Sequence, residues 1–511
     1  MRTSLWALVE ERAGASPDGE MMVDELGRRM TFREYRAAAL RAAAGLADLG
    51  VADGTPVTWQ LPTWIESAVL VGALSRLGAV QNPVLPSYRE HELAFVTRQT
   101  GALLLIVPPT WRGFDYPALA ETVAAGQPGL RVLVVDGALP AGDPARLPPI
   151  PGTGGVRWHF YTSGTTAEPK GARHTDAGVL AGGIGMAGRL EATAEDRAAV
   201  VFPFAHIGGC TTWLTACLAT GLTMILTAAF DPVATVEQLG REGVTLAGAG
   251  TVFQFAYLAA QRRTPDRPIF PAIRCALAGA SPKPSTLHAD IKAEIGGLGV
   301  ASGYGLTEAP ILTMGSPHDP DEVLARCEGR PLDGVRLRVV RADGGEAARG
   351  QEGEVRAKGP QVMLGYLDPA LDSDAFDEDG WLRTGDLGRL DESGNLTVTG
   401  RIKDVIIRRG ETISAREVED LLAEHPDVAE ASVVGLPDPE AGERACAVIV
   451  PAPNTAPTLQ ILVDFLRARG LMPQKLPESM ETVVELPRNA AGKVLKNELR
   501  DRLTERVRRW G

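Results

Sequence analysis

Cysteine, aromatic residues and lysine are all scarce in this chain, and no excess of positive charge is present. The five cysteines, Cys210, Cys217, Cys275, Cys327 and Cys446, are odd in number and scattered, with no C-x-x-C pair and no histidine at zinc-ligand spacing. That excludes a disulfide-stapled scaffold and predicts reduced, buried thiols. Aromatic residues are 5% of the chain, yet 44% hydrophobic and 23% charged residues keep the composition within the soluble globular range. A formal charge of −12 argues against a polyanion-binding surface spread over the molecule, so nucleic acid is not an expected partner. The amino terminus, MRTSLWALVEERAGASPDGE, has no apolar run of signal-peptide length before its acidic residues, and a cytoplasmic protein is expected. Ile207 to Phe230 carries no charge, but six threonines and three glycines break it up. Thr220-Gly221 reads as a turn between a helix (Thr211 to Ala219) and a strand (Leu222 to Leu226), so a buried pair of elements is predicted and integral membrane association is not.

With 511 residues there is room for about three domains or subdomains. Short, uninterrupted apolar runs recur between helical patterns: Leu103-Val107, Val132-Val135, Val200-Phe202, Met224-Leu226, Val244-Ala247 and Cys275-Ala278. A sheet covered on both faces demands such strands, so the fold class is α/β, with layered subdomains. A proline- and glycine-rich connection, Ala138 to Gly155, leads into a strand over Val156-Tyr161. From about residue 330 to 400 the pattern alternates, as in Val335-Val340 and Gly353-Lys358, which predicts a β-rich subdomain of half-exposed antiparallel strands. From Val405 the order is strand (Val405-Ile407), helix (Ala415-Ala423), strands (Val428-Val434, Ala445-Val450), helix (Gln460-Arg467) and strand (Thr482-Val484). The expected organisation is a large domain over 1–400 and a small α+β domain over 401–511.

The segment Tyr161-Thr-Ser-Gly-Thr-Thr-Ala-Glu-Pro-Lys-Gly171 packs five hydroxyls, two glycines and a lysine into one loop. Glycine lets backbone approach a phosphate, hydroxyls and amides donate to its oxygens, and lysine brings mobile positive charge. Thr162, Ser163, Gly164, Thr165, Thr166 and Lys170 are therefore candidate phosphate ligands. Proline before Lys170 and glycine after it exclude a Walker A loop, whose Ser or Thr would follow the lysine. Only eight of the 52 basic residues are lysine, and none precedes Lys170. Where arginine is so dominant, a retained lysine marks a compact ammonium that a planar guanidinium does not replace. Lys170, Lys403 and Lys493 all fall in segments that stand out for other reasons.

Those segments are Gly303-Tyr-Gly-Leu-Thr-Glu-Ala309, Trp381-Leu-Arg-Thr-Gly-Asp-Leu-Gly388, Gly400-Arg-Ile-Lys-Asp404 and Pro487-Arg-Asn-Ala-Ala-Gly-Lys493. Thr307-Glu308 pairs a hydroxyl for phosphate with a hard carboxylate of the type magnesium prefers. Together with the loop, the five motifs, in this order from residue 161 to 493, resemble the adenylate-forming superfamily of acyl-CoA synthetases, luciferases and peptide-synthetase adenylation domains. The resemblance implies ATP-dependent activation of a carboxylate as acyl-adenylate with release of pyrophosphate, then transfer to coenzyme A, with Mg2+ at Glu308. It implies that Tyr304 stacks on adenine, that Gly279, Ala280 and Ser281 wall the adenine side, and that Asp386, in a turn-like segment, accepts from the ribose hydroxyls. It also implies that Arg401 reaches ribose and phosphate, that Lys493 bridges the carboxylate and the α-phosphate, that Lys403 is the hinge of a rotating small domain, and that Gly410 leaves the pantetheine channel open.

Within that family, relatives that activate amino acids hold the substrate ammonium with an aspartate in the segment matching Pro203 to Gly209, and none is present here. The acyl pocket is expected around His206, Gly250, Phe253 and Gly279, segments with no arginine or lysine before Lys283. A second substrate carboxylate would go unpaired, so the expected substrate is an apolar monocarboxylic acid, medium-chain, alicyclic or aromatic. The small residues Ala247 to Gly250 either leave volume for that acid or let backbones pack closely. An acyl-adenylate ligase serving another acceptor, and an inactive scaffold, are the alternative readings. The run from Trp381 to Glu417 lacks an insertion that would restrain the small domain and no phosphate or lysine position is lost, which favours the CoA ligase. Oligomeric state is not legible.

Overall fold

Uninterrupted apolar strands with helices between them can bury both faces only as parallel ladders under helical layers, and two such sheets form the body of the protein. The computed structural model describes residues 4–162, 169–248, 250–279, 283–408, 411–438, 442–489 and 492–510. A nine-stranded sheet is parallel through Met22-bearing Glu20–Asp24, Thr223–Leu226, Arg197–Val200, Leu246–Ala247, Cys275–Ala278 and Val300–Leu306. Ala309–Met314 and Arg330–Pro331 extend one edge antiparallel, and Arg29–Thr31 closes the other. A six-stranded sheet stands beside it, parallel from Trp158–Thr162 to Arg131–Val134, with Lys170–His174 as an antiparallel edge strand. One continuous core joins the two, from Trp6 and Trp59 to Leu246 and Leu312.

The uncharged stretch from Ile207 folds as predicted into a buried helical segment and strand, its first turns a π-helix (Gly208–Trp213) running into Leu214–Thr220. Among the described residues no helix is long and apolar enough to cross a membrane. All five cysteines are free, four of them buried.

The alternating segments build a four-stranded antiparallel sheet from Arg336–Val340, Gly353–Lys358, Leu382–Leu390 and Leu396–Arg401. Gly353–Lys358 buries every second residue, as its sequence requires. A last sheet contains only strands after Val405, with its own apolar core of Ile406, Ile413, Val418, Val433, Ile449 and Leu462. It meets the rest of the chain through the Ser414 hydroxyl, which donates to the Thr399 carbonyl at 2.9 Å, and through Arg416, 3.5 Å from Glu328.

Two strands lie off their expected positions. The apolar run Val200-Phe202 marks only the end of Arg197–Val200, because Arg197 and Ala198 pair with Thr223 and Met224 while Phe202 has passed beyond the ladder. The last strand is Ser479–Thr482, not Thr482-Val484, since Cys446 to Ile449 offer their edge to Ser479 to Thr482 and Val484 is left exposed.

Backbone approach sets the tolerance of individual glycines. Gly329 has φ +80°, and a Cβ there would lie 2.1 Å from the Gly315 nitrogen; Gly14, in the helix Leu5–Ala15, has nothing within 4 Å. Gly329→Ala is therefore expected to destabilise the protein by several kcal/mol, well above the ~1 kcal/mol typical of point changes, and Gly14→Ala to stabilise it by about 0.5–1 kcal/mol. Urea unfolding of the two variants checks both signs.

Candidate active site

Parallel strands place all their carboxyl ends on one edge, and the connections leaving that edge are where open α/β sheets bind ligands. Four of the segments singled out in the sequence leave the nine-stranded sheet there. His206 follows Arg197–Val200, Gly250 and Phe253 follow Leu246–Ala247, Gly279 follows Cys275–Ala278, and Thr307-Glu308 follow Val300–Leu306.

Thr307 and Glu308 form the two-residue tip between Val300–Leu306 and Ala309–Met314, where Leu306 pairs with Ala309. His174 holds this tip from the other sheet: its Nε2 lies 2.8 Å from the Thr307 carbonyl oxygen. A carbonyl only accepts, so that nitrogen carries the proton, and burial holds the ring neutral by pushing its pKa down to about 4. The Glu308 carboxylate accepts a 2.7 Å hydrogen bond from the Tyr366 hydroxyl, and the Glu308 carbonyl accepts from the Met363 amide. Lys170 and Thr162 are cross-strand neighbours flanking the hydroxyl-rich loop, and the Lys170 ammonium sits 5.6 Å from the Tyr366 ring centre. Ser163, Gly164, Thr165 and Thr166 lie outside the described residues, as do Ala280, Ser281 and Gly410.

Asp386 departs from its expected turn. It lies inside the strand Leu382–Leu390, opposite Arg401, where the ladder to Gly353–Lys358 shifts register and Gly385 takes φ +70°. This bulge re-aims the carboxylate. Asp386 is 3% exposed; Arg401 Nε reaches its Oδ1 at 2.7 Å and the Tyr304 hydroxyl donates to its Oδ2, also at 2.7 Å. Burial and the Asp386 charge push the Tyr304 hydroxyl far above its ordinary pKa, so it remains a donor. Each carboxylate oxygen keeps a second lone pair for a vicinal diol.

Lys493 follows the strand Ser479–Thr482, and its amide donates to the Asn489 side-chain oxygen at 2.9 Å. Gly492 lies against Val252, at the amino end of the helix Thr251–Arg263. Burial, then the charge of Arg401, lowers the Lys493 pKa to about 8, with Asp386 and Asp404 acting the other way. Lys493, beyond the last strand, thus lies within the electrostatic reach of the carboxylate and guanidinium of the four-stranded sheet. Lys403 is exposed in the 3-10 turn Ile402–Asp404.

On the acyl side, the Gly208 amide donates to His206 Nδ1 at 3.1 Å, and the ring lies edge-on to Phe202. Burial pushes its pKa down to about 4. Phe253 packs edge-on against Phe230, ring centres 4.9 Å apart. The small residues divide: a Cβ on Gly248 would meet Trp213 at 3.2 Å, so that glycine serves close packing, whereas at Gly250 the nearest atom is at an ordinary 3.6 Å. Lys283 is turned away, buried, with its ammonium donating to the carbonyls of Leu324 and Cys327 at the end of the helix Asp321–Arg326.

Tyr366 and His174 escaped the sequence reading, because a lone tyrosine or histidine carries no spacing signal until the fold sets it against Glu308 or Thr307. The Gly365-Tyr366 backbone does pair with Arg173 and Ala172, a contact that no periodicity encodes.

This chain matches the AMP-binding enzyme family over residues 9–367 and the AMP-binding enzyme C-terminal domain over 417–493. It belongs to that family. It is 32% identical to the medium-chain fatty-acid–CoA ligase of Escherichia coli, over 98% of this chain and 90% of that protein. It is 33% identical to the salicyl-AMP ligase / salicyl-S-ArCP synthetase of Mycobacterium tuberculosis, over 91% and 84%. Its structure is similar to ATP-bound MatB from Rhodopseudomonas palustris, 26% identical with a TM-score of 0.88 over 99% of both chains. Against the apo form of MatB, at 27% identity and the same coverage, the TM-score is 0.78.

Histidines that the fold keeps neutral make stability depend on pH. His159, His174 and His206 are each pushed down to about 4 from 6.5 by desolvation, so the fold favours their unprotonated forms. Their contribution is complete above about pH 6.5 and is lost as pH falls towards about 4, where unfolding takes up protons. Urea unfolding between pH 7 and 4.5 is expected to show this decline, with a shallower slope in His206→Gln.

Proposed function

We propose that this protein is an AMP-forming acid–CoA ligase acting on an apolar monocarboxylic acid, with residues 1–400 binding ATP and the acid and residues 401–511 acting as a mobile small domain. In the first half-reaction a carboxylate oxygen attacks the α-phosphorus of ATP, the α–β phosphoanhydride bond breaks, and pyrophosphate leaves. In the second, the CoA thiolate attacks the acyl carbon of the adenylate, a thioester forms, and AMP leaves. The observation that carries the reading is that Tyr304, on the strand leading to Thr307 and Glu308, donates to Asp386, that Arg401 pairs with the same carboxylate, and that the charges of Arg401 and Asp386 both act on Lys493.

Asp386, oriented by Tyr304 and Arg401, takes the ribose hydroxyls, and Lys170 with Thr162 and the loop hydroxyls of Ser163, Thr165 and Thr166 takes the phosphates. Tyr304 and Gly279 lie on the adenine side with Ala280 and Ser281. Lys493 offsets the repulsion between carboxylate and phosphate as they approach, and stabilises the charge that develops on the α-phosphate oxygens. Glu308 suits Mg2+: it is a hard carboxylate with one oxygen engaged by Tyr366, and among the described residues no cluster of three metal-ligating side chains surrounds it. Glu308 would hold the ion, which would supply positive charge against the triphosphate. After adenylation, turning about Lys403 brings Gly410 to the pantetheine channel and withdraws Lys493.

Lys493→Ala is expected to reduce acid-dependent pyrophosphate release by at least 10²–10³-fold, roughly the loss seen when one transition-state donor is removed. ATP binding should persist, because its other contacts lie elsewhere. Near-normal release by this variant would end the assignment.

The acyl side predicts a charge preference. With His206 neutral and Lys283 bound to carbonyls, nothing identified there pairs with a second carboxylate. A dicarboxylate is expected to fall below its monocarboxylate analogue in kcat/KM by about 10² or more, because an unpaired buried charge costs several kcal/mol. A pyrophosphate-release panel with and without CoA checks this, and acyl-CoA formation in the same assay separates a CoA ligase from a ligase that passes its adenylate to a carrier protein.

A further inference from the structure

Tyr366 belongs to none of the sequence motifs. Its side chain is 6% exposed, its hydroxyl donates to Glu308 Oε1 at 2.7 Å, and its ring centre lies 5.6 Å from the Lys170 ammonium. The backbone around it is pinned to the same neighbours. Tyr366 pairs with Ala172, the Leu367 amide donates to the Gly171 carbonyl at 2.8 Å, and the Tyr366 amide donates to Asp372 Oδ1 at 2.7 Å. The Met363 amide reaches the Glu308 carbonyl on the other side. One aromatic side chain thus stands between the cation that follows the hydroxyl-rich loop and the carboxylate at the tip of the neighbouring sheet.

We propose that Tyr366 is a positioning residue for the metal–phosphate end of the nucleotide site, holding the Glu308 carboxylate through its hydroxyl and seating the Lys170 ammonium on its ring. The inference rests on the nucleotide reading of Glu308 and Lys170. Because a phenol donates only one proton, Glu308 Oε1 is engaged while, among the described residues, nothing hydrogen-bonds Oε2. Oε2 would then be the oxygen left to hold a divalent cation. The ring contributes differently: a cation over an aromatic face is held without a hydrogen bond, which leaves all three N–H donors of Lys170 for phosphate oxygens.

The test is Mn2+ binding, followed by electron paramagnetic resonance in the presence of α,β-methylene-ATP, with full-length protein and no turnover. Tyr366→Phe keeps the ring and is expected to weaken Mn2+ by about tenfold, as loss of a partner that orients a metal ligand typically does, with little change in melting temperature. In a Glu308→Gln background, Tyr366→Phe should have no further effect, because it acts through that carboxylate. Tyr366→Leu should in addition weaken the metal-free analogue by roughly two- to fivefold, the scale of a cation–π contact. Unchanged Mn2+ affinity in Tyr366→Phe, or a loss that simply adds to that of Glu308→Gln, would overturn the positioning role while leaving the nucleotide site intact. Wild-type protein that binds no Mn2+ with the analogue would overturn both this role and the nucleotide reading beneath it.

Discussion

The parallel register of the nine-stranded sheet is the constraint on which the site depends. Antiparallel strands would send successive connections to opposite ends; here the segments after Val200, Ala247, Ala278 and Leu306 all open at one edge. Parallel pairing requires both faces covered, which the long apolar core supplies, and that burial excludes water from the floor beneath His206, Gly250 and Tyr304. A site built this way has a rigid base made of backbone hydrogen bonds and variable walls made of loops.

Onto that base the other sheets are fastened by polar contacts between residues of the site itself. Tyr304 reaches from the nine-stranded sheet to Asp386 in the four-stranded one, and Arg401 completes the carboxylate from the adjacent strand. His174 and Tyr366 tie the Thr307-Glu308 tip to the six-stranded sheet. These contacts are part-buried, and losing a partner costs most at Asp386, whose carboxylate is itself buried. The Asp386 carboxylate is thereby held from two sheets at once.

The contact between the carboxyl-terminal sheet and the remainder is of another kind. Ser414 to Thr399 and Arg416 to Glu328 are polar, and the Lys493 loop touches Val252 through a glycine. Polar contacts of this kind are common where domains of one chain meet. Lys493 itself is held in a place that disfavours its charge, beside Arg401, and the negative phosphates of a nucleotide would relieve that repulsion.

Uninterrupted apolar runs and alternating ones, read along the chain alone, already separated the layered parallel body from the antiparallel sheets, because burial on two faces or one is written into local periodicity. The five motifs likewise carried the resemblance to the adenylate-forming superfamily, which the family match supports, and singled out Thr162, Lys170, Tyr304, Glu308, Asp386, Arg401 and Lys493 as candidates. Periodicity does not encode register. The bulge that puts Asp386 inside a strand, the shift of the last strand to Ser479–Thr482, and the division of Gly248 from Gly250 into packing and pocket positions depend on which backbones lie alongside. The same holds for Tyr366, His174 and Lys283, whose meaning comes from partners distant in sequence: a carboxylate, a loop carbonyl and a helix end. Residue type and spacing determined the chemistry available to this protein, and tertiary structure decided which groups stand within hydrogen-bonding distance, because those distances follow from strand register and burial rather than from separation along the chain.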